Sequence, residues 1–247
     1  MKRFCIINCF LLLVLPVALA QSKPEADSLY QKGQYEVAAK MYEQLLGKGE
    51  NAYIYYNLGN AYYRMHDLAH AILNYERAAL LEPGNPDIRF NLSLARSKTE
   101  DKVADTDQFF VFYWFNSIVN SHNTDGWAHM ALVAFVMMLI LIGVFFFGKL
   151  PVIRRIALYL SVFLFVCVVM FNVFALVQRN ELLSKTRAIV MKTVPVKSTP
   201  DNSGNTLFTL HPGTKVEVSD NSMSQWKEIS LPDGKKGWLQ KSSIELI

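Results

Sequence analysis

Two uncharged apolar runs constrain this chain more than any other feature. Gly126 to Gly148 contains no Asp, Glu, Lys or Arg, with Ala128 to Phe147 almost unbroken in its apolar character; a second such run extends from Ile156 to Val177. A helix rises about 1.5 Å per residue and about 20 residues cross the hydrocarbon of a bilayer, so each run is long enough to span. The spacing predicts two transmembrane helices, 126–148 and 156–178, joined by a loop at 149–155 in which Pro151 turns the chain. Lys149, Arg154 and Arg155 crowd that loop with positive charge, which assigns it to the cytoplasm and both long flanks to the opposite face. Trp127 and Phe145 to Phe147 stand at the ends of the first run, where aromatic belts stand. The chain as a whole is 51% hydrophobic and 19% charged, too apolar a balance for a soluble protein.

The amino terminus agrees with that topology. Met1-Lys2-Arg3 is a short positive segment, Phe4 to Leu15 is apolar, and Ala18-Leu19-Ala20 is a small-residue cleavage pattern, so residues 1–20 read as an export signal removed before Gln21. Its apolar part is too short to span a bilayer. Cys5, Cys9 and Cys167 all fall in apolar runs, which leaves no disulfide framework and no paired metal ligands. Residues 21–101 carry 9 basic and 11 acidic side chains, and residues 185–247 carry 9 and 6. Neither segment has the basic stripe that nucleic-acid binding needs, so no nucleic-acid partner is expected.

Between the first soluble segment and the first span, 99–125 reads as a linker. Ser97 to Gln108 is polar and acidic; Phe109-Phe110-Val111-Phe112-Tyr113-Trp114-Phe115 is too aromatic to be exposed to water and too short to span. It lies in the membrane interface as a short helix, or it is covered by the preceding domain or by the helical pair; the sequence leaves both open.

The segment 21–98 repeats itself. A shift of 33 residues superposes Ala38 on Ala71, Tyr42 on Tyr75 and Gly33-Gln34-Tyr35 on His66-Asp67-Leu68; a shift of 34 superposes Tyr56-Asn57-Leu58 on Phe90-Asn91-Leu92. A period near 34 in helical sequence marks a helix-turn-helix solenoid. Leu58, Gly59 and Tyr62, then Ala71, Tyr75 and Ala78, closed by Pro83, resemble the tetratricopeptide (TPR) family. Glu25 to Lys48 resembles an earlier, weaker repeat, and Pro86 to Lys98 a third first-helix without a partner. The resemblance implies a binding module whose first helices line a groove for a protein segment. On this chain the groove would present Asp27 and Tyr30, then Tyr56, Asn57, Asn60, Tyr63 and Arg64, then Phe90, Asn91 and Leu94. In TPR domains that clamp a terminal carboxylate with Lys and Asn residues, only Asn57 fits the scheme here; Asp87 and Asn91 hold positions where bases would be wanted, so capture of a terminal carboxylate is not expected.

Beyond Arg187 the hydrophobic period becomes two, and turn signals recur at Ser198 to Asn202, His211-Pro212-Gly213, Asp220 to Ser222 and Pro232-Asp233-Gly234. Five strands fit between them: Ala188–Val196, Thr206–Leu210, Lys215–Val218, Trp226–Ser230 and Lys236–Leu239. Five short strands in about sixty residues make a small barrel. Val196-Lys197-Ser198, Gly213 to Val216, Trp226 to Ile229 and Gly237-Trp238 resemble bacterial SH3 domains, placing that domain at 185–247. Gly237 is expected at a close backbone approach and Trp238 in the core; Trp226 either stacks on a ligand or fills the core.

Catalytic patterns do not survive inspection. His66, Asp67 and His70 lack a further metal ligand, and Ser224 to Lys227 spells S-x-x-K ahead of a strand rather than at a helix start. No cofactor and no enzymatic activity are expected.

The order of parts (signal, short TPR array, aromatic stretch, membrane hairpin and bacterial SH3 domain) resembles the BatE family of the bacterial aerotolerance (Bat) operon, carried by Asn57 to Tyr63, Phe109 to Trp127 and Thr193 to Trp238. That resemblance implies a multidomain protein of the inner membrane: all-α TPR repeats and an all-β SH3-like barrel on the periplasmic side of a transmembrane helical hairpin. It implies an adaptor linked to oxidative-stress tolerance, with Bat proteins bearing von Willebrand A domains and a MoxR-type ATPase system as partners. The alternative is a cell-wall sensor, or an accessory to a peptidoglycan hydrolase, whose barrel binds peptidoglycan.

Overall fold

The computed structural model describes residues 22–102, 110–184, 186–220 and 222–247. The stretch read as an export signal, 1–20, lies outside the described residues, as do 103–108 of the acidic linker and Phe109.

Five helices come first: α1 (Ser22–Gln31), α2 (Tyr35–Leu46), α3 (Ala52–Arg64), α4 (Leu68–Leu81) and α5 (Pro86–Ser97). Short polar side chains start three of them. Asn51 Oδ1 accepts from the Ile54 amide at 3.2 Å, Asp67 Oδ1 from the His70 amide at 3.1 Å, and Asn85 Oδ1 from the Asp87 amide at 3.1 Å with Pro86 in the first turn. Ala26, Ala38, Ala61, Ala71 and Ala78 are fully buried where helices cross, and Tyr42 and Tyr75 fill the space those small residues leave. At Gly59 a β-carbon would come within 2.7 Å of the Tyr75 ring, so α3 and α4 approach as closely as they do only because the side chain is absent.

Three more helices follow: α6 (Phe110–Val119), α7 (Thr124–Phe147) and α8 (Pro151–Leu183). α7 and α8, with 24 and 33 residues, pack against each other, and both are long and apolar enough to cross a bilayer. Only 11% of the most apolar window of each is buried, so nothing among the described residues covers their outer faces. The connection between them is shorter than expected. Pro151 opens α8 instead of turning a loop, because its fixed φ and missing N–H suit the first helical position; Arg154 and Arg155 are therefore helical. α8 also continues past Val177 to Leu183. α6 folds against the pair: the Trp127 indole N–H donates to the Val119 carbonyl at 2.9 Å, and the Gln178 amide donates to the same carbonyl at 3.1 Å and to Asn120 Oδ1 at 3.0 Å. Trp127 and Phe174 close an apolar cluster with Val119. The other side of α6 is open, with Phe110 81% and Trp114 64% exposed.

The rest is an antiparallel sheet of seven strands, β1 (Arg187–Val190), β2 (Val194–Lys197), β3 (Thr206–Leu210), β4 (Lys215–Asp220), β5 (Trp226–Ser230), β6 (Lys236–Gln240) and β7 (Ile244–Leu246), in the order β3-β2-β6-β5-β4-β1-β7. The expected first strand is two strands, broken at Met191 to Thr193, and β7 adds a strand beyond the five expected. Residues from six strands, among them Ala188, Val196, Leu210, Val216, Ile229 and Leu239, share one core. Gly237 sits where a β-carbon would collide with Val196 and come within 2.9 Å of the Lys197 carbonyl. Trp238, expected in the core, is instead half-exposed on the outer face beside Glu228: alternation along β6 turns Gly237 and Leu239 inward and Trp238 outward.

The helical repeats and the sheet are joined. Ala188 and Val190 point into the sheet's own core, while Ile189, between them, is fully buried among Ile72, Leu73, Tyr75, Leu92 and Ala95 of α4 and α5. Around this contact, Lys215 Nζ donates to Glu76 Oε2 at 2.9 Å, Arg96 pairs with the other Glu76 oxygen, and Arg77 donates to the Leu246 carbonyl at 2.7 Å. Asp101 then takes three bonds from the β3–β4 turn: the His211 amide at 2.7 Å, the His211 ring at 2.8 Å and the Thr214 hydroxyl at 2.6 Å. Gly213 in that turn has φ 91°, the left-handed region that favours glycine, and a β-carbon there would come within 2.9 Å of the Thr99 methyl and 3.0 Å of Ile72 Cδ1. The sheet thus covers the apolar side of α4 and α5, where a continuing solenoid would place its next helix.

Candidate functional site

The side chains named from the sequence as groove residues lie on α1, α3 and α5. The structure ties three of them together. Asn60 Oδ1 accepts from the Tyr75 hydroxyl at 2.7 Å and from the Asn91 amide at 3.0 Å, and the same Asn91 amide donates to the Tyr56 hydroxyl at 2.9 Å. Asn57 joins through Asn60 Nδ2 at 3.4 Å. Burial, with Tyr56 and other tyrosines nearby, raises the Tyr75 phenol above its ordinary value, so it stays a neutral donor. This half-buried row of amides and phenols crosses from α3 to α5 and fixes the surface that Phe90, 67% exposed, and Leu94 flank. Asp27 is otherwise engaged, accepting from the Tyr42 and Tyr53 hydroxyls at 2.6 Å each.

Tyr30, Tyr63 and Arg64 lie at the far end of the same face. The Tyr30 ring meets Tyr35 edge-on, with centroids 5.2 Å apart. Arg64 donates to the Tyr35 hydroxyl from Nε at 3.1 Å and Nη2 at 2.9 Å, and Lys98 Nζ stands 4.8 Å from the centroid of the Tyr63 ring. Tyr35, Tyr63, Arg64 and Lys98, together with His66 and Leu68, line a cleft of about 450 Å³, and Tyr30 stands beside it against Tyr35. Tyr35, His66, Leu68 and Lys98 are not among the groove residues expected from the sequence. His66 had one signal: it falls on Gly33 in the repeat alignment, and the structure gives both a left-handed backbone, φ 62° and 76°. Lys98, just past α5, reaches the cleft only because α5 packs beside α3.

On the sheet, Trp226 is half-buried on the outer face, which it shares with Glu228 and Trp238. Elsewhere, His70 Nδ1 lies 2.7 Å from Asp67 Oδ2 and its ring stacks on Tyr62. Among the described residues no three His, Cys, Asp or Glu side chains gather as a metal site. Ser224 precedes β5 and lies on no helix.

The tetratricopeptide repeat family model matches residues 52–85, which take in α3, α4 and the turn to α5. No curated protein matches the chain. Among solved structures, the type III secretion chaperone SycD of Yersinia enterocolitica, in complex with a peptide of the translocator YopD, is similar at 15% identity and a TM-score of 0.32, over 63% of this chain and 95% of that one. The chain therefore contains a TPR repeat at 52–85, set within a longer helical array, two apolar helices and an antiparallel sheet.

Proposed function

We propose that the chain is a non-enzymatic adaptor, anchored in a bacterial inner membrane by α7 and α8, that holds a segment of a protein partner on the face formed by α1, α3 and α5. The observation that carries this reading is the union of repeats and sheet through Ile189, Glu76–Lys215 and Asp101–His211: two modules flanking an apolar helical pair are built as one head. A head of that kind requires both flanks on the same side of the bilayer, as two spans provide. Lys149, Arg154 and Arg155 between the spans support a periplasmic head. The bacterial SH3-like features of the sheet and the order of parts support a place in a Bat complex, with von Willebrand A-domain proteins and a MoxR-type ATPase system as partners in aerotolerance.

A photo-crosslinker placed at Phe90 or Tyr63 in living membranes tests this. The expected product is a covalent adduct with a von Willebrand A-domain protein, absent when the crosslinker stands at Glu36 on the outer side of α2. Adducts from Glu36 alone, or none where the Bat proteins are present, would reject the reading. A periplasm-dependent reporter fused after Ile247 should be active.

The outward Trp226 and Trp238 favour a second reading, in which the sheet holds peptidoglycan. Nanodisc-bound full chain should then sediment with purified wall sacculi and cease to do so after Trp226→Ala; failure to cosediment discards it.

A further inference from the structure

The cleft at the end of the repeat face carries a chemistry of its own. Arg64 and Lys98 converge on it from the ends of α3 and α5, and neither has a carboxylate partner among the described residues: Arg64 donates from Nε and Nη2 to the Tyr35 hydroxyl, and Lys98 rests over the Tyr63 ring. Two cations that meet no anion among the described residues make an unmatched electrostatic field there, strengthened by the apolar walls of Tyr35, Tyr63 and Leu68. The rim adds a third N–H-bearing side chain at a conformational cost. His66 holds φ 62°, a backbone region that residues with a β-carbon seldom occupy, where the first repeat meets the same turn with Gly33. A residue kept in an unfavourable backbone region at the edge of a cleft points to a use for its side chain. The cleft shares its helices with the row of polar side chains: Tyr63 and Arg64 follow Tyr56 and Asn60 on α3, and Lys98 follows α5, which carries Asn91.

We propose that this cleft takes the side-chain carboxylate of an Asp or Glu in an acidic segment of the protein partner, with an adjacent apolar side chain lying on Leu68 and Tyr35. The Arg64 N–H groups that Tyr35 does not use, on Nη1 and the far side of Nη2, suit a carboxylate held by paired hydrogen bonds, and Lys98 closes over it as a point charge. This rests on the adaptor reading above and adds the partner's charge. It also differs from a terminal-carboxylate clamp on the helix faces, because the cations stand at helix ends and the anion belongs to a side chain.

The test pans a display library of random twelve-residue segments against the full chain in lipid nanodiscs, in parallel with Arg64→Glu, Lys98→Glu and Asn91→Ala. The expected result is enrichment of segments that place Asp or Glu next to Leu, Ile or Phe, with affinity at least tenfold weaker in either charge-reversal variant. The double variant Arg64→Glu with Lys98→Glu should select Lys and Arg in their place. Neutral segments whose binding fails with Asn91→Ala but ignores Arg64→Glu would overturn the acidic-segment proposal and leave the adaptor reading standing. Enrichment of nothing would overturn both. Saturation of the cleft by inorganic phosphate at concentrations that displace the selected segments stoichiometrically would overturn the proposal in favour of a small-anion site.

Discussion

Glu76 and Lys215, 139 residues apart, meet at 2.9 Å across the boundary between the helical repeats and the sheet, with the Glu76 side chain only 6% exposed. Burial pushes the Glu76 carboxyl up, but the Lys215 and Arg96 cations beside it outweigh burial and hold it below its ordinary value. Glu76→Gln leaves two cations facing an amide inside the interface. Loss of one member of a buried ion pair costs about 3–5 kcal/mol, so the melting temperature of the full chain in detergent should fall. Most of the loss should return in Glu76→Gln with Lys215→Met, since the remaining buried charge is then removed. A double variant no more stable than Glu76→Gln would contradict this account.

The Asp101–His211 contact gives that boundary a pH dependence. Burial raises Asp101, but the Thr214 hydroxyl and the His211 amide and ring outweigh it and hold its carboxyl below the ordinary 3.8; its contribution is present above that value and lost as pH falls through the lower folded one. Its hydrogen bond with Asp101, aided by Glu100 and opposed by burial, raises His211 above the ordinary 6.5; its contribution is full below 6.5 and lost as pH rises through the higher folded value. The contact is therefore strongest between about pH 4 and pH 6.5. Melting measured across pH 3–9 should show His211→Ala removing the decline on the alkaline side while keeping the decline on the acid side.

Gly59 gains nothing from being made a better helix former. Ala is favoured over Gly within a helix by about 1 kcal/mol, yet the added methyl would stand 2.7 Å from the Tyr75 ring and 3.2 Å from the Ala71 carbonyl. Tyr75 is fixed by its bond to Asn60, so overpacking prevails. Gly59→Ala should be destabilising by roughly 1–3 kcal/mol in urea unfolding followed by circular dichroism, and an equally stable variant would mean that α3 and α4 can separate freely.

Gln178 holds α6 to the two long helices by donating to Val119 and Asn120. Gln178→Leu keeps the volume and removes both bonds, leaving the Val119 carbonyl with the Trp127 indole alone. The expected cost is about 1–3 kcal/mol, confined to this junction. Hydrogen exchange should accelerate in 114–121 and remain unchanged in α3 and α4; unaltered exchange in α6 would show that the apolar cluster of Trp127 and Phe174 holds it without Gln178.

Much of this protein is a local property of its chain. Helix starts at Asn51, Asp67 and Asn85, the repeat period that pairs Gly59 with Tyr75, the two apolar runs and the alternation of β4 to β6 all depend on neighbours within about 35 residues, so composition and spacing determine them. Tertiary structure decided the rest, because the decisive partners are far apart in sequence. Ala188-Ile189-Val190 is a run of three apolar residues where alternation would supply two; the third is explained only by α4 and α5, which bury the strand's second face. The same packing turned Glu76 and Asp101, ordinary surface acids by their local context, into links to Lys215 and His211. It also brought Lys98 beside Tyr63, completing a cleft whose residues come from three separate stretches of chain.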